Sequence, residues 1–101
     1  MIIEGSKIDG EFYGKEKLTN FKCDAKIIRS SGFPPYYQAF YRDSSNLLTV
    51  YGAKKTDPSM AIAMLELCLY ELHEKTRSNG SDYKGLLPEF EEDSLKGRRL
   101  R

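Results

Sequence analysis

The stretch that decides the fold is TDPS at positions 56–59 followed by MAIAMLELCLYEL at positions 60–72. Asp57 is a good N-cap because its carboxylate can accept hydrogen bonds from the amides of the first turn, and Pro58 suits the first helical position. Asn79-Gly80 favours an end to the helix. The sequence therefore predicts a helix over 58–75 with one broad apolar face, which carries Ala61, Leu65, Cys68 and Leu72.

Three strands are predicted before this helix, separated by turns. Phe21 to Arg29 alternates apolar and polar residues, and the turn 30–35 with its two prolines follows it. Tyr36 to Arg42 and Leu47 to Tyr51 are rich in residues that favour a pleated surface. The weakly patterned residues 1–20 could add one more strand. The order β-β-β-α predicts an α+β domain: an antiparallel sheet of three or four strands with one main helix packed on one face.

We expect the core of this domain to join the helix to the first predicted strand. Leu65, Leu69 and Leu72 should pack against Ile27. The length of 101 residues fits one domain, which we expect to span 1–80. Residues 81–101 should form a C-terminal segment that docks over 86–90 and ends in a mobile, charged tail.

Composition limits the kinds of partner. There are 16 basic and 15 acidic side chains, a formal charge of +1, so no global field attracts nucleic acid or an anionic membrane. No apolar run approaches the ~20 residues of a membrane span, and we expect no membrane partner. Both cysteines fall in apolar-patterned segments, which indicates a reducing cytoplasm.

The residues that could carry chemistry are few. Cys23, Cys68 and His73 are the only soft metal ligands. Cys68 and His73 are five positions apart on the predicted helix, so they lie on different sides and cannot share a metal or act as a thiol–imidazole pair. We expect the cysteines to be buried hydrophobes and His73 to be a surface residue. The sequence predicts no enzymatic activity, no cofactor and no metal site.

The tyrosine-rich sheet is the candidate interaction surface, because one helix covers only one of its faces. A shift of one residue in the register of the second predicted strand exchanges its inward and outward side chains. Either Tyr36 with Arg42 or Tyr37 with Tyr41 therefore points outward. The outward face could bind a protein, could bind nucleic acid, or could be covered by the N-terminal segment or the 86–90 turn. Of the two binding alternatives, a protein partner is favoured over nucleic acid. The predicted partner-binding residues are Lys22, Lys26, Tyr36, Tyr37, Tyr41, Arg42, Tyr51, Lys54 and Lys55.

A second apolar stripe lies on the helix, turned away from its main apolar face. It consists of Ala63, Leu67 and Tyr70. Since a helix that is apolar on two sides usually buries both, this stripe could pack under the C-terminal segment or form half of a symmetric homodimer.

The stretch from Tyr36 to Glu74 resembles a family of small bacteriophage and prophage proteins, the phage ABA sandwich domain. The matching residues are Tyr37, Ala39, Phe40 and Tyr41 in the strand and Thr56, Asp57, Pro58, Ala61 and Ile62 at the helix start. The resemblance implies a phage context and the cytoplasm of the host cell, and it implies no activity. It also implies helices on both sides of the sheet, although residues 1–20 show no convincing first helix. Together with the surface described above, it predicts a non-enzymatic accessory protein that binds a macromolecule, such as an inhibitor of a host-defence protein.

Overall fold

The fold, seen in a computed structural model that describes residues 2–79, 83 and 85–91, is one five-stranded sheet with one helix. The predicted α+β class is confirmed. Along the sheet the strands lie in the order β1-β5-β4-β3-β2. The elements are β1 (Ile2–Glu4), β2 (Gly10–Lys17), β3 (Asp24–Ser30), β4 (Tyr37–Arg42), β5 (Leu48–Tyr51) and α1 (Pro58–Asn79).

The predicted sheet of three or four antiparallel strands is wrong in strand number and in the direction of one strand, β1. From β2 to β5, each strand pairs antiparallel with the next strand along the chain. β1 instead runs parallel to β5, with Ile2 opposite Leu48. β2 lacks an alternating pattern because it is an exposed edge strand and because its register with β3 shifts between Phe12 and Gly14. Such a bulge displaces the side-chain alternation from which strands are recognised.

The core lies between α1 and the face of the sheet formed by β3, β4 and β5. Leu65, Leu69 and Ile27 are almost completely buried and Leu72 is buried as well, so the predicted core is confirmed. The helix begins at Pro58 as predicted, and the Asp57 carboxylate accepts a hydrogen bond of 2.9 Å from the amide of Ser59.

One end of the sheet is closed by four rings packed against one another, Phe21, Tyr70, His73 and Phe90, which we call the closed cluster. The segment 85–91 returns to this end. There the amide of Lys22 donates to the Glu89 carbonyl, and the amide of Glu91 donates to the Asn20 carbonyl. The expectation that His73 is a surface residue is wrong, because its Nε2 lies 2.8 Å from the Pro88 carbonyl oxygen and its ring stacks on Phe21.

The predicted helix stop and the predicted charged tail fall on residues that the structure does not describe. Gly80, predicted to stop the helix, and positions 92–101 of the predicted charged tail lie outside the described residues. Within the described part, α1 lacks the continuous apolar length needed to cross a membrane.

Candidate interaction site

The register of β4 decides which of its side chains are accessible. Ala39 and Tyr41 belong to the buried core beneath α1, and Tyr37 packs against that core. Because side chains alternate along a strand, Gln38, Phe40 and Arg42 lie on the opposite face. Of the two alternatives, Tyr36 with Arg42 is therefore the exposed pair. Tyr41 is not on an accessible surface, since it is buried and its hydroxyl donates to the Leu86 carbonyl oxygen at 2.8 Å.

No described strand or helix packs across the sheet face opposite α1. The aromatic rings on this face are instead packed against neighbouring side chains of the same face. The Arg42 guanidinium carbon lies 5.5 Å from the centre of the Phe40 ring, and Arg42 Nε donates to Thr49 Oγ1 at 3.2 Å. The Tyr51 ring, 5.4 Å from that of Phe40, is only 8% exposed. A nucleic-acid base would therefore have to displace this packing before it could stack on Tyr51.

The exposed aromatic side chains of the described residues are concentrated at the other end of the sheet, where β2 begins and β3 turns into β4. We call this group the aromatic end. Its members, with their exposed fractions, are Phe33 (98%), Phe12 (68%), Tyr13 (50%) and Tyr36 (39%).

The backbone at the aromatic end is held in place, although its rings are exposed. The amide of Tyr36 donates to Ser30 Oγ and the amide of Ser30 donates to the Tyr36 carbonyl, both at 2.8 Å, so the turn that carries Phe33 is closed at its base. The Tyr13 ring packs edge-on against that of Tyr37, with centroids 4.9 Å apart. Exposed rings on a fixed backbone give contact area at a small cost in conformational entropy.

A cleft of about 690 Å³ adjoins the aromatic end. One wall is the connection 5–9 between β1 and β2, and the other is the segment 52–54 that follows β5. Gln38 holds the two walls together: its Nε2 donates to the carbonyls of Ser6 and Gly52, and its Oε1 accepts from the amide of Ile8. At the mouth, Lys54 Nζ lies 5.1 Å from the centre of the Tyr36 ring.

The nine predicted partner-binding residues do not form one surface. Tyr36, Tyr51 and Lys54 line the cleft, and Tyr37 pairs with Lys55 in an isolated bridge beside it. Lys26 and Arg42 lie on the sheet face opposite α1. Tyr41 is buried, and Lys22 lies at the closed cluster, where its Nζ is 3.7 Å from a Glu89 carboxylate oxygen.

Sequence reasoning missed several residues of this site. Phe12 and Tyr13 lie on β2, in the stretch 1–20 for which the sequence predicts at most one strand without bounds. Gln38 gave no signal because its role depends on a distant connection. Phe33 could have been found: a bulky apolar residue within a turn, directly before two prolines, has no strand neighbours to bury it.

The chemistry-bearing residues are placed away from this site. Burial raises the pKa of the Cys23 thiol to about 11, and burial also raises the pKa of Cys68. Both thiols are therefore protonated at neutral pH, which disfavours nucleophilic attack. Within the described residues, no cluster of three or more His, Cys, Asp or Glu side chains is placed to hold a metal.

The second apolar stripe is divided between two environments. Tyr70 packs against Phe21 and Phe90 in the closed cluster, as expected if the C-terminal segment covers it. Ala63 and Leu67 are exposed, Leu67 by 53%. A homodimer through this stripe would therefore use Ala63 and Leu67, and it stays a prediction.

No family model, curated protein or solved structure matches this chain. The resemblance of residues 36–74 to the phage ABA sandwich domain therefore stays a prediction.

Proposed function

We propose that this chain acts without catalysis, by binding a protein partner at the aromatic end. The observation that carries the proposal is the concentration there of Phe12, Tyr13, Phe33 and Tyr36, the exposed aromatic side chains of the described residues. Aromatic side chains are the usual anchors of protein interfaces, where they fill pockets and exclude water. Exposing them costs free energy that a bound partner would recover.

The charges around the aromatic end support a protein partner over nucleic acid. Lys7, Arg29 and Lys54 are interspersed with the carboxylates of Asp9 and Glu11. Nucleic-acid surfaces neutralise a row of phosphates, and carboxylates within that row oppose binding. A mixed surface around apolar anchors is instead typical of the rim of a protein interface.

The cellular setting of the proposal rests on the resemblance of residues 36–74. It supports a small phage or prophage accessory protein that works in the host cytoplasm, where it could occlude the surface of a host-defence protein. A homodimer through Ala63 and Leu67 is compatible with this activity, since the helix surface that bears them is distinct from the aromatic end.

The experiment compares capture of partners by matched variants. Tagged wild-type chain, Phe12→Ser/Phe33→Ser and the control Ile3→Ser/Leu47→Ser are used to capture proteins from a nuclease-treated bacterial lysate. The control removes two apolar side chains of comparable exposure, 53% and 51%, away from the aromatic end. We expect one protein to be captured by the wild type and the control and lost with the aromatic variant.

Two results would contradict the proposal. Capture that is equal for all three chains would place the interaction elsewhere. Capture that depends on nucleic acid, with affinity for a random oligonucleotide that falls along the counterion-release slope as salt rises, would favour the nucleic-acid alternative.

A further inference from the structure

We propose that the cleft between residues 5–9 and 52–54 binds an extended, acidic peptide segment of the protein partner. This inference rests on the proposed function and adds the chemistry of what is recognised. The volume of about 690 Å³ is within the range of pockets that enclose drug-sized ligands, so a few peptide residues would fill it.

The cleft is preformed, which lowers the cost of ordering it around a ligand. Gln38 is 2% exposed, and its amide makes hydrogen bonds of 2.6 Å to the Ser6 carbonyl, 2.9 Å to the Gly52 carbonyl and 3.0 Å to the Ile8 amide. These three bonds fix both walls at the floor of the cleft. The wall at Gly52 is also fixed by β4 and by the helix. Its amide donates to the Ala39 carbonyl on β4, and its Cα faces α1 so closely that a Cβ would lie 2.7 Å from the Leu65 nitrogen.

Both walls present backbone that can still form hydrogen bonds. The backbone amide and carbonyl of Lys7 on one wall, and those of Ala53 on the other, make no hydrogen bond to another described residue. Unpaired amides and carbonyls at the margin of a sheet are the groups that an added extended chain pairs with. The main chain of a peptide is therefore a better match than a compact ligand.

The cleft charges select acidic side chains. Lys7 and Lys54 both line it, and neither ammonium group lies within ion-pair distance of a described carboxylate. Asp9 is the one carboxylate among the residues that line the cleft. A peptide with Asp or Glu side chains would satisfy both ammonium groups, and its side chains could pack on the Tyr36 ring at the mouth.

The test is a selection from a random octapeptide library displayed on phage, with the full chain immobilised. We expect the enriched peptides to carry net negative charge. Selection on Lys7→Glu/Lys54→Glu should enrich peptides of net positive charge instead. The matched control Lys26→Glu/Lys75→Glu makes the same change in net charge outside the cleft and should enrich acidic peptides like the wild type.

Binding of one enriched acidic peptide, labelled with fluorescein, then measures the effect. We expect the Kd to rise about tenfold or more with Lys7→Glu/Lys54→Glu, and to stay within about twofold of the wild-type value with the Lys26/Lys75 control. Amide NMR shifts on titration should be largest at residues 6–8 and 52–54.

Several results would overturn the inference: no enrichment, a peptide charge that does not respond to Lys7 and Lys54, equal weakening by the control, or shifts centred away from the cleft. Failure here differs from failure of the proposed function. Phe12→Ser/Phe33→Ser tests protein capture at the aromatic end and should leave peptide binding unchanged, whereas the lysine reversal tests the cleft.

Discussion

The two ends of the sheet each carry a group of aromatic rings, and they use them in opposite ways. In the closed cluster, centroids lie 4.5 to 5.9 Å apart and Phe21 is fully buried. At the aromatic end Phe33 is 98% exposed. The segment 85–91 folds back over the first group, while the second lies on a turn and an edge strand. The same kind of side chain therefore stabilises the fold at one end and remains available for contact at the other.

The largest expected effect separates Phe21 from Phe33. Phe21→Ala should lower the free energy of unfolding by about 3–5 kcal/mol, because it removes the ring on which Tyr70, His73 and Phe90 pack. Phe33→Ala should change it by less than about 0.5 kcal/mol, since little of that ring is buried. Urea denaturation of both variants measures the difference. Similar losses for the two would mean that the contrast between the ends is false.

A smaller effect tests whether the aromatic end is rigid despite its exposed rings. Gln38→Ala should lower the free energy of unfolding by about 1–3 kcal/mol, because three backbone groups lose their hydrogen-bond partner. One of them, the Gly52 carbonyl, would be left buried and unpaired. Hydrogen exchange should also speed up at residues 6–8. Arg42→Ala, on the same face of β4 but exposed, is the control and should cost less. Unchanged exchange in the Gln38 variant would show that the walls of the cleft are held by other contacts.

The turn between β4 and β5, which begins at Asp43, should make a contribution to the free energy of unfolding that depends on pH. Burial raises the pKa of Asp43, but hydrogen bonds from the Ser45 side chain and from the amides of Leu48, Ser45 and Leu47 outweigh it, so that the pKa is lowered from its ordinary value of 3.8. Because the pKa of Asp43 is lower in the folded state than in the unfolded chain, this carboxylate stabilises the folded state above pH 3.8. The contribution is lost as the pH falls and the carboxylate becomes protonated.

Asp43→Asn should therefore cost about 1 kcal/mol at neutral pH and should reduce the loss of stability between roughly pH 5 and pH 2. Urea denaturation across this range measures both. Asp57→Asn is a suitable control, because an asparagine N-cap keeps the hydrogen bond to the helix. An acid transition as steep in the Asp43 variant as in the wild type would contradict the assignment.

The smallest effect is kinetic and concerns Cys23, which precedes β3 near the closed end. With a pKa of about 11, its thiol should react with iodoacetamide at pH 8 much more slowly than a free cysteine. Cys68→Ser isolates this thiol, and mass spectrometry follows the rate. Addition of urea should restore ordinary reactivity. Rapid labelling in the folded chain would show that this region opens far more often than its packing indicates.

Local signals made the helix predictable, whereas the cleft depends on distant pairings. Asp57, Pro58 and the apolar spacing lie within one stretch of chain, and they fix where α1 begins and which face it buries. Gln38 reaches Gly52 because β4 pairs with β5, but it reaches Ser6 only because β1 pairs with β5, and nothing local to Gln38 indicates that second pairing. The bulge at Tyr13 likewise concealed β2, and with it Phe12 and Tyr13 of the candidate site.

The parallel pairing of β1 with β5 has a consequence for the order of folding. Strands β2 to β5 can form by successive hairpins between neighbours in the chain, and we expect Ile2 to reach Leu48 after those hairpins have formed. Closing so long a loop is slow, and a pairing of three residues is the easiest part of a sheet to lose again. We therefore expect the wall formed by residues 5–9 to assemble last and to detach first, so that release of β1 would open the cleft while the rest of the sheet stays folded.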